Sequence, residues 1–169
     1  MTTNYIVQNY WTQRDSSGSR EWFSITSSSD GSKLAAGVYG GYIYISTNGG
    51  ATWTERQVSG STQNWQSITS SEDGSKLAAC VYAGYIYTST DSGVSWTSQT
   101  AAASRDWTDI ASSEDGSKLA AGVYRGYIYI STNGGATWTE RQVSGSTQSW
   151  QSITSSSDGT KLAACDRGG

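Results

Sequence analysis

Four tryptophans, Trp22, Trp65, Trp107 and Trp150, recur at spacings of 43, 42 and 43 residues, and Asp30, Asp73, Asp115 and Asp158 keep the same intervals. Such self-similarity marks a repeat architecture, in which each unit buries its apolar surface only by stacking on its neighbours. Four periods account for the whole 169-residue chain. That leaves no room for an inserted catalytic domain, and the expectation is one domain over residues 1–169. A longer period of 85 lies over the shorter one: residues 37–80 match 122–165 except at Gly40/Arg125, Asn64/Ser149, Glu72/Ser157 and Ser75/Thr160. Most residues therefore answer to repeat geometry, and an asymmetric active site would have to use the few positions that differ.

Within one unit the pattern reads as four short strands. Trp22-Phe23-Ser24-Ile25-Thr26 leads into Ser28-Ser29-Asp30-Gly31, and Asp-Gly between alternating segments signals a hairpin. A second strand over 33–39 ends at Gly40-Gly41, and Tyr42-Ile43-Tyr44-Ile45-Ser46 follows with rings and branched aliphatics in strict alternation. This third strand is apolar or amphipathic on both faces, so it needs a sheet above and a sheet below. Asn48-Gly49-Gly50 then turns the chain into a fourth strand, Trp53-Thr54-Glu55-Arg56-Gln57. Eight Trp and eleven Tyr against one Phe and one Met agree with an all-β chain packed by aromatics that keep one polar edge.

The turn before the fourth strand carries the sharpest motif. Ser46-Thr47-Asn48-Gly49-Gly50-Ala51-Thr52-Trp53, Ser89-Thr90-Asp91-Ser92-Gly93-Val94-Ser95-Trp96 and Ser131-Thr132-Asn133-Gly134-Gly135-Ala136-Thr137-Trp138 resemble the Asp-box, the S-x-D-x-G-x-x-W hairpin of sialidase-type β-propellers. The local chemistry is plain: Asn48, Asp91 and Asn133 offer acceptors to turn amides, Gly50, Gly93 and Gly135 permit positive φ, and Trp53, Trp96 and Trp138 pack the hairpin down. Ser46, Ser89 and Ser131 open each motif. Two of the three copies hold Asn for Asp, which keeps the acceptor and drops the charge. The resemblance covers residues 22–142 and implies an all-β β-propeller of four-stranded antiparallel blades, about four per chain. The blades fall at 22–57, 65–100, 107–142, and a fourth divided between 150–169 and 4–13.

That fourth blade is predicted to be split between the termini. Residues 150–169 supply two strands, including Leu162, Ala164 and Cys165, while Tyr5-Ile6-Val7 reads as a third strand and Trp11 as the start of a fourth. Trp11 precedes Trp22 by eleven residues, as Trp96 precedes Trp107. Completing a blade from both termini closes propellers and hides their edge strands. One chain could close on itself, at the low end of the ~4–8 blades usual for propellers. Alternatively the C-terminal hairpin of one chain receives the N-terminal hairpin of the next, a heterologous contact that yields rings or filaments. The expectation favours assembly. Cys80 and Cys165 sit at the same repeat position, too far apart for the ~4.4–6.8 Å Cα separation of a disulfide, and read as buried free thiols.

Composition removes several functions. A net charge of −3 with scattered Lys and Arg gives no footprint for nucleic acid, and no apolar run approaches the ~18 residues of a membrane span. The start MTTNYIVQNY lacks the basic and apolar regions of a secretion signal, so the cellular address stays open. With no histidine, the usual general base and imidazole metal ligand are missing, and no cofactor or metal is expected. With no proline, the Arg-Ile-Pro stretch of sialidases is absent, and no isolated Tyr–Glu nucleophile pair stands out from the repeat. Asp109 departs from the serines of its repeat position and is the best candidate for a special role. Trp22, Trp65, Trp107, Trp150, Tyr39, Tyr82 and Tyr124 fall on one predicted face, where aromatic shelves would suit sugar rings, and Arg14, Arg20, Arg105, Arg125 and Arg167 share it. The sequence thus points to a non-catalytic scaffold whose partner is itself, with a lectin-like glycan binder as the alternative and a degenerate glycosidase as the third reading. Neither nucleic acid nor membrane is an expected partner.

Overall fold

The computed structural model describes residues 18–143 and 145–168. It is an all-β propeller arc of three complete blades and half of a fourth. The first blade holds β1 (Trp22–Ser27), β2 (Leu34–Val38), β3 (Ile43–Ser46) and β4 (Thr54–Arg56), and the second holds β5 (Trp65–Ser70), β6 (Leu77–Val81), β7 (Ile86–Ser89) and β8 (Thr97–Gln99). The third holds β9 (Trp107–Ser112), β10 (Leu119–Val123), β11 (Ile128–Ser131) and β12 (Thr139–Arg141), and the last has β13 (Trp150–Ser155) and β14 (Leu162–Asp166). Each blade is an antiparallel meander in chain order, as short hairpin turns require. The strands proposed from the sequence for residues 4–13, with Tyr5, Ile6, Val7 and Trp11, lie outside the described residues.

Alternation sets the packing. In the second strands, Leu77, Ala79 and Val81 point to the preceding blade and join Ala35, Ile43 and Ile45 in one core. Ala78 and Cys80 point the other way, with Ile86, into the core of Trp107, Ile110, Leu119, Ala121 and Val123. The second and third blades thus each have a front face seated on the blade before and a back face that receives the blade after. Leu-Ala-Ala runs through the middle of each interface because small side chains let two twisted sheets approach closely.

The turns fix the register of the blades. Ser28 Oγ donates to Asp30 Oδ1 at 2.6 Å, and the Ser32 N–H reaches the same oxygen at 3.0 Å. In the Ser-x-Asn-x-Gly hairpin, the Gly50 N–H donates to Ser46 Oγ and the Thr52 N–H to Asn48 Oδ1, both at 2.9 Å. Asp91 with Ser89 and Asn133 with Ser131 repeat this cage. These two turns of a blade lie on one face of the arc, joined by Gly49 N–H to Ser32 C=O at 2.8 Å. On that face a relay crosses the blades: Ser29 N–H to Glu72 C=O, Glu72 N–H to Glu114 C=O, and Glu114 N–H to Ser157 C=O. Lysines make a parallel relay, Lys33 Nζ to Asp73 C=O at 2.9 Å, Lys76 to Asp115 and Lys118 to Asp158 at 2.7 Å each.

Candidate functional site

Among the described residues the arc has two uncovered ends, and Phe23 and Ile25 at one and Leu162 at the other are exposed. At the first, no described blade lies against the front face of β1. Ile25 is 63 % exposed, whereas its equivalents Ile68, Ile110 and Ile153 are 5 %, 3 % and 6 %. Phe23 is exposed as well, and an apolar depression of about 390 Å³ runs over Trp22, Ile25, Leu34, Ala36 and Trp53. At the other end β14 is bonded only to β13 among the described residues. Beside it lies a crevice of about 290 Å³ lined by Ile128, Ile130, Val143, Ile153, Leu162 and Ala164. This is where a third and a fourth strand stand in the other blades.

Cys165 corrects one expectation. Cys80 is buried, and burial together with the Asp109 carboxylate pushes its thiol far above the ordinary range. Cys165, predicted to be buried in the same way, is exposed, because no blade among the described residues covers the back face of β14. Leu162 and Ala164 are exposed with it.

The inner tryptophans correct another. Trp65, Trp107 and Trp150 are 1 %, 0 % and 9 % exposed, sealed between blades, so they present no ring face to a sugar. Trp65 and Trp150 donate their indole N–H to Gly41 and Gly126 C=O at 3.2 Å. Only Trp22, on the open end, is partly exposed, and it packs edge-on against Tyr44 at 5.2 Å. The tyrosines stay outside: Tyr39 and Tyr82 are exposed and Tyr124 is half-buried.

Asp109 lies on an inner strand and takes four hydrogen bonds. Oδ1 accepts from Ser67 Oγ at 2.6 Å and from the Ile110 N–H at 2.9 Å. Oδ2 accepts from Ser152 Oγ and the Ile153 N–H, both at 2.8 Å. One carboxylate therefore ties three consecutive blades together. In the first blade Ser24 Oγ plays part of this role, accepting the Ile68 N–H at 3.1 Å.

The other carboxylates are also engaged. Asp30, Asp91 and Asp158 are held at about 2 by their serine, threonine and turn-amide donors, and Asp73 and Asp115 lower still. Glu55 and Glu140 are lowered by the hydroxyls of Tyr44 and Tyr129, which donate to them at 2.5 Å. Above those tyrosines lie Arg20 and Arg105, 4.5 and 4.3 Å from the ring centroids. Two of the five arginines expected on the aromatic face thus stack on tyrosine rings, and Arg14 is outside the described residues. Among the described residues no group of three His, Cys, Asp or Glu side chains is placed to hold a metal ion, and no helix is long and apolar enough to cross a membrane.

No protein-family model matches the chain, and no curated protein sequence matches it. Solved structures do. A GH74 enzyme of Niastella koreensis is 25% identical with a TM-score of 0.59, over 78% of this chain and 20% of that one. YCF48 bound to D1 peptide is 16% identical with a TM-score of 0.63, over 89% and 53%. The β-propeller domain of Cps50 (Swd1) from Myceliophteria thermophila is 19% identical with a TM-score of 0.66, over 87% and 50%. All are β-propellers, and this chain spans between a fifth and about half of their length. The fold is therefore that of a β-propeller.

Proposed function

We propose that this chain is a non-catalytic propeller of the Asp-box type that assembles with copies of itself, residues 4–13 of one copy completing the last blade of another, and that the assembly serves as a scaffold. The observation that carries this reading is the open edge of β14 beside the apolar crevice of about 290 Å³. An edge strand next to uncovered apolar surface calls for a strand to be added, and Tyr5-Ile6-Val7 has the alternating pattern that fits it. A second copy is favoured as donor because the Ser29–Glu72–Glu114–Ser157 relay stops at its two ends among the described residues. The cage geometry of Ser46, Asn48 and Gly50 supports the Asp-box assignment.

Chemistry is disfavoured by the same geometry. The acids of the repeat are spent on turn amides and hydroxyls, and Asp109 is saturated by blade contacts. The test is deletion of residues 1–13. The full chain should have a native mass above the 18.0 kDa of one chain, and the deletion should fall to monomer. A deletion that keeps both fold and mass would refute the reading.

A second reading, a glycan-binding face, draws on Tyr39 and Tyr82, exposed on adjacent blades. It requires that Tyr82→Ala weaken binding on a glycan array at unchanged native mass, and an array without any binding would end it.

A further inference from the structure

The blades meet through two kinds of joint, and the kinds alternate. Between the first and second blades the back face presents Gly37 to Trp65, so close that a Cβ on the glycine would lie 2.9 Å from the Trp65 Cβ. Between the third and fourth blades Gly122 faces Trp150 at the same 2.9 Å. Between the second and third, the position holds Cys80, fully buried in the core that contains Trp107. The receiving blades differ in step with this. Trp65 and Trp150 follow Gln63 and Gln148, whereas Trp107 follows Arg105, whose guanidinium covers Tyr129. The connection from the outer to the inner tryptophan is also one residue shorter before Trp107 than before Trp65 or Trp150.

The two open ends are halves of the cysteine kind. The back face of β14 carries Cys165, exposed where Cys80 is buried. The front face of β1 carries Trp22 preceded by Arg20, whose guanidinium covers Tyr44 just as Arg105 covers Tyr129. The relays end in matching fashion. Each of the first three blades donates a turn N–H and a lysine Nζ to carbonyls of the next blade, so the donors due next are Ser157 N–H and Lys161 Nζ, and the acceptors due next are Ser29 and Asp30 C=O.

We propose that the back face of β14 docks on the front face of β1 in a second copy of this chain, with Cys165 seated against Trp22 and Ile25 as Cys80 is seated on its own neighbour blade. The inference rests on the self-assembly reading above and gives it a surface, a direction and a register. The contact is heterologous, so one copy offers β14 and the other β1. Ile25 loses its exposure, Lys161 gains the Asp30 carbonyl, and the joint is closed to any blade of the glutamine kind.

The test is to measure thiol reactivity with an aromatic disulfide reagent on the native full chain, alongside its mass by light scattering. The expected result is a mass of at least twice one chain with neither thiol reacting until denaturant is added. A mass that high with one thiol per chain reacting at the rate of a free cysteine would overturn this joint while leaving assembly by strand addition intact. A mass of one chain with a reactive thiol overturns both readings, and a mass of one chain with both thiols protected means that the chain closes on itself, which also overturns the second-copy joint. Ile25→Asp supplies an independent arm, since Ile25 is exposed in the single arc and the change should leave its β-sheet circular dichroism unaltered. It should lower the native mass to that of one chain and restore one reactive thiol, and an unchanged mass would count against the joint.

Discussion

Asp109 accepts a hydrogen bond of 2.8 Å from the backbone N–H of Ile153, one blade further along the arc. With the bonds from Ser67 and Ser152 this makes one carboxylate the brace of three inner strands. Asp109→Asn turns an acceptor oxygen into a donor facing donors, and a hydrogen bond to a charged group contributes about 1.5–3 kcal/mol. The expected loss is about 2 kcal/mol by urea denaturation, while Asp109→Ser, the residue of the other blades at this position, should cost less. Equal stability of the Asn variant and the parent would contradict the bracing role.

The second-to-third strand turn needs a positive φ at its first residue. Gly40 adopts 65° there, and Ala83 and Arg125 are forced to 55° and 53°. A left-handed conformation costs a residue with a Cβ about 1–2 kcal/mol, of which glycine gives back part through its greater unfolded-state entropy. Ala83→Gly should therefore stabilise the chain by about 0.5–1 kcal/mol, and Gly40→Ala should do the reverse. Calorimetric melting of both variants checks the sign.

At the glycine joints there is no space to give. A Cβ at Gly122 meets the Cβ of Trp150, an atom close to the backbone that cannot swing away. Gly122→Ala should destabilise by about 1–3 kcal/mol, the usual cost of overpacking. Cys80→Ala, at the roomier joint, removes only a sulfur and should cost about 1–2 kcal/mol. A neutral Gly122→Ala would mean that the blades slide apart more readily than their packing implies.

Acid should loosen the turns before it touches the cores. Asp30, Asp91 and Asp158 have folded pKa values of about 2 against 3.8 for the unconstrained side chain, owing first to serine hydroxyls and turn amides. A depressed folded value means that the stabilisation is complete above the unfolded pKa and is lost as pH falls through the folded one. Urea midpoints should be flat from pH 7 to about 5 and drop between about 4 and 2. Asp158→Asn should shift the parent midpoint downward at pH 7 and flatten its acid drop. An acid drop of the same size in that variant would argue against the turn carboxylates as its source.

Much of this architecture was legible in the repeat. Period, Asp-Gly turns and Tyr-Ile alternation place the four strands of the first blade to within about a residue, because hairpins this short leave little freedom. The burial of the tryptophans is not legible in the repeat, because a residue at the start of an inner strand can face the channel, the solvent or the next blade, and period alone does not choose. Trp65 and Trp107 are core because the preceding blade ends directly over them. The exposure of Ile25 and Cys165 is hidden for the opposite reason: their repeat partners are buried, and their place in the terminal blades leaves them open. Asp109 stood out as an exception to a serine position, yet its role as a brace needed the donors of Ser152 and Ile153 to be seen converging on it. The lysine relay has a sequence signal of its own, since Lys33, Lys76, Lys118 and Lys161 each follow an Asp-Gly turn at a fixed distance. Their regularity was the available signal.

Assembly through the unfinished ends is tested most directly by the native mass of the full chain, measured by light scattering on a sizing column across a dilution series. The expected result is twice 18.0 kDa or a larger multiple, falling toward one chain only on strong dilution. A single species of 18.0 kDa at every concentration would contradict it.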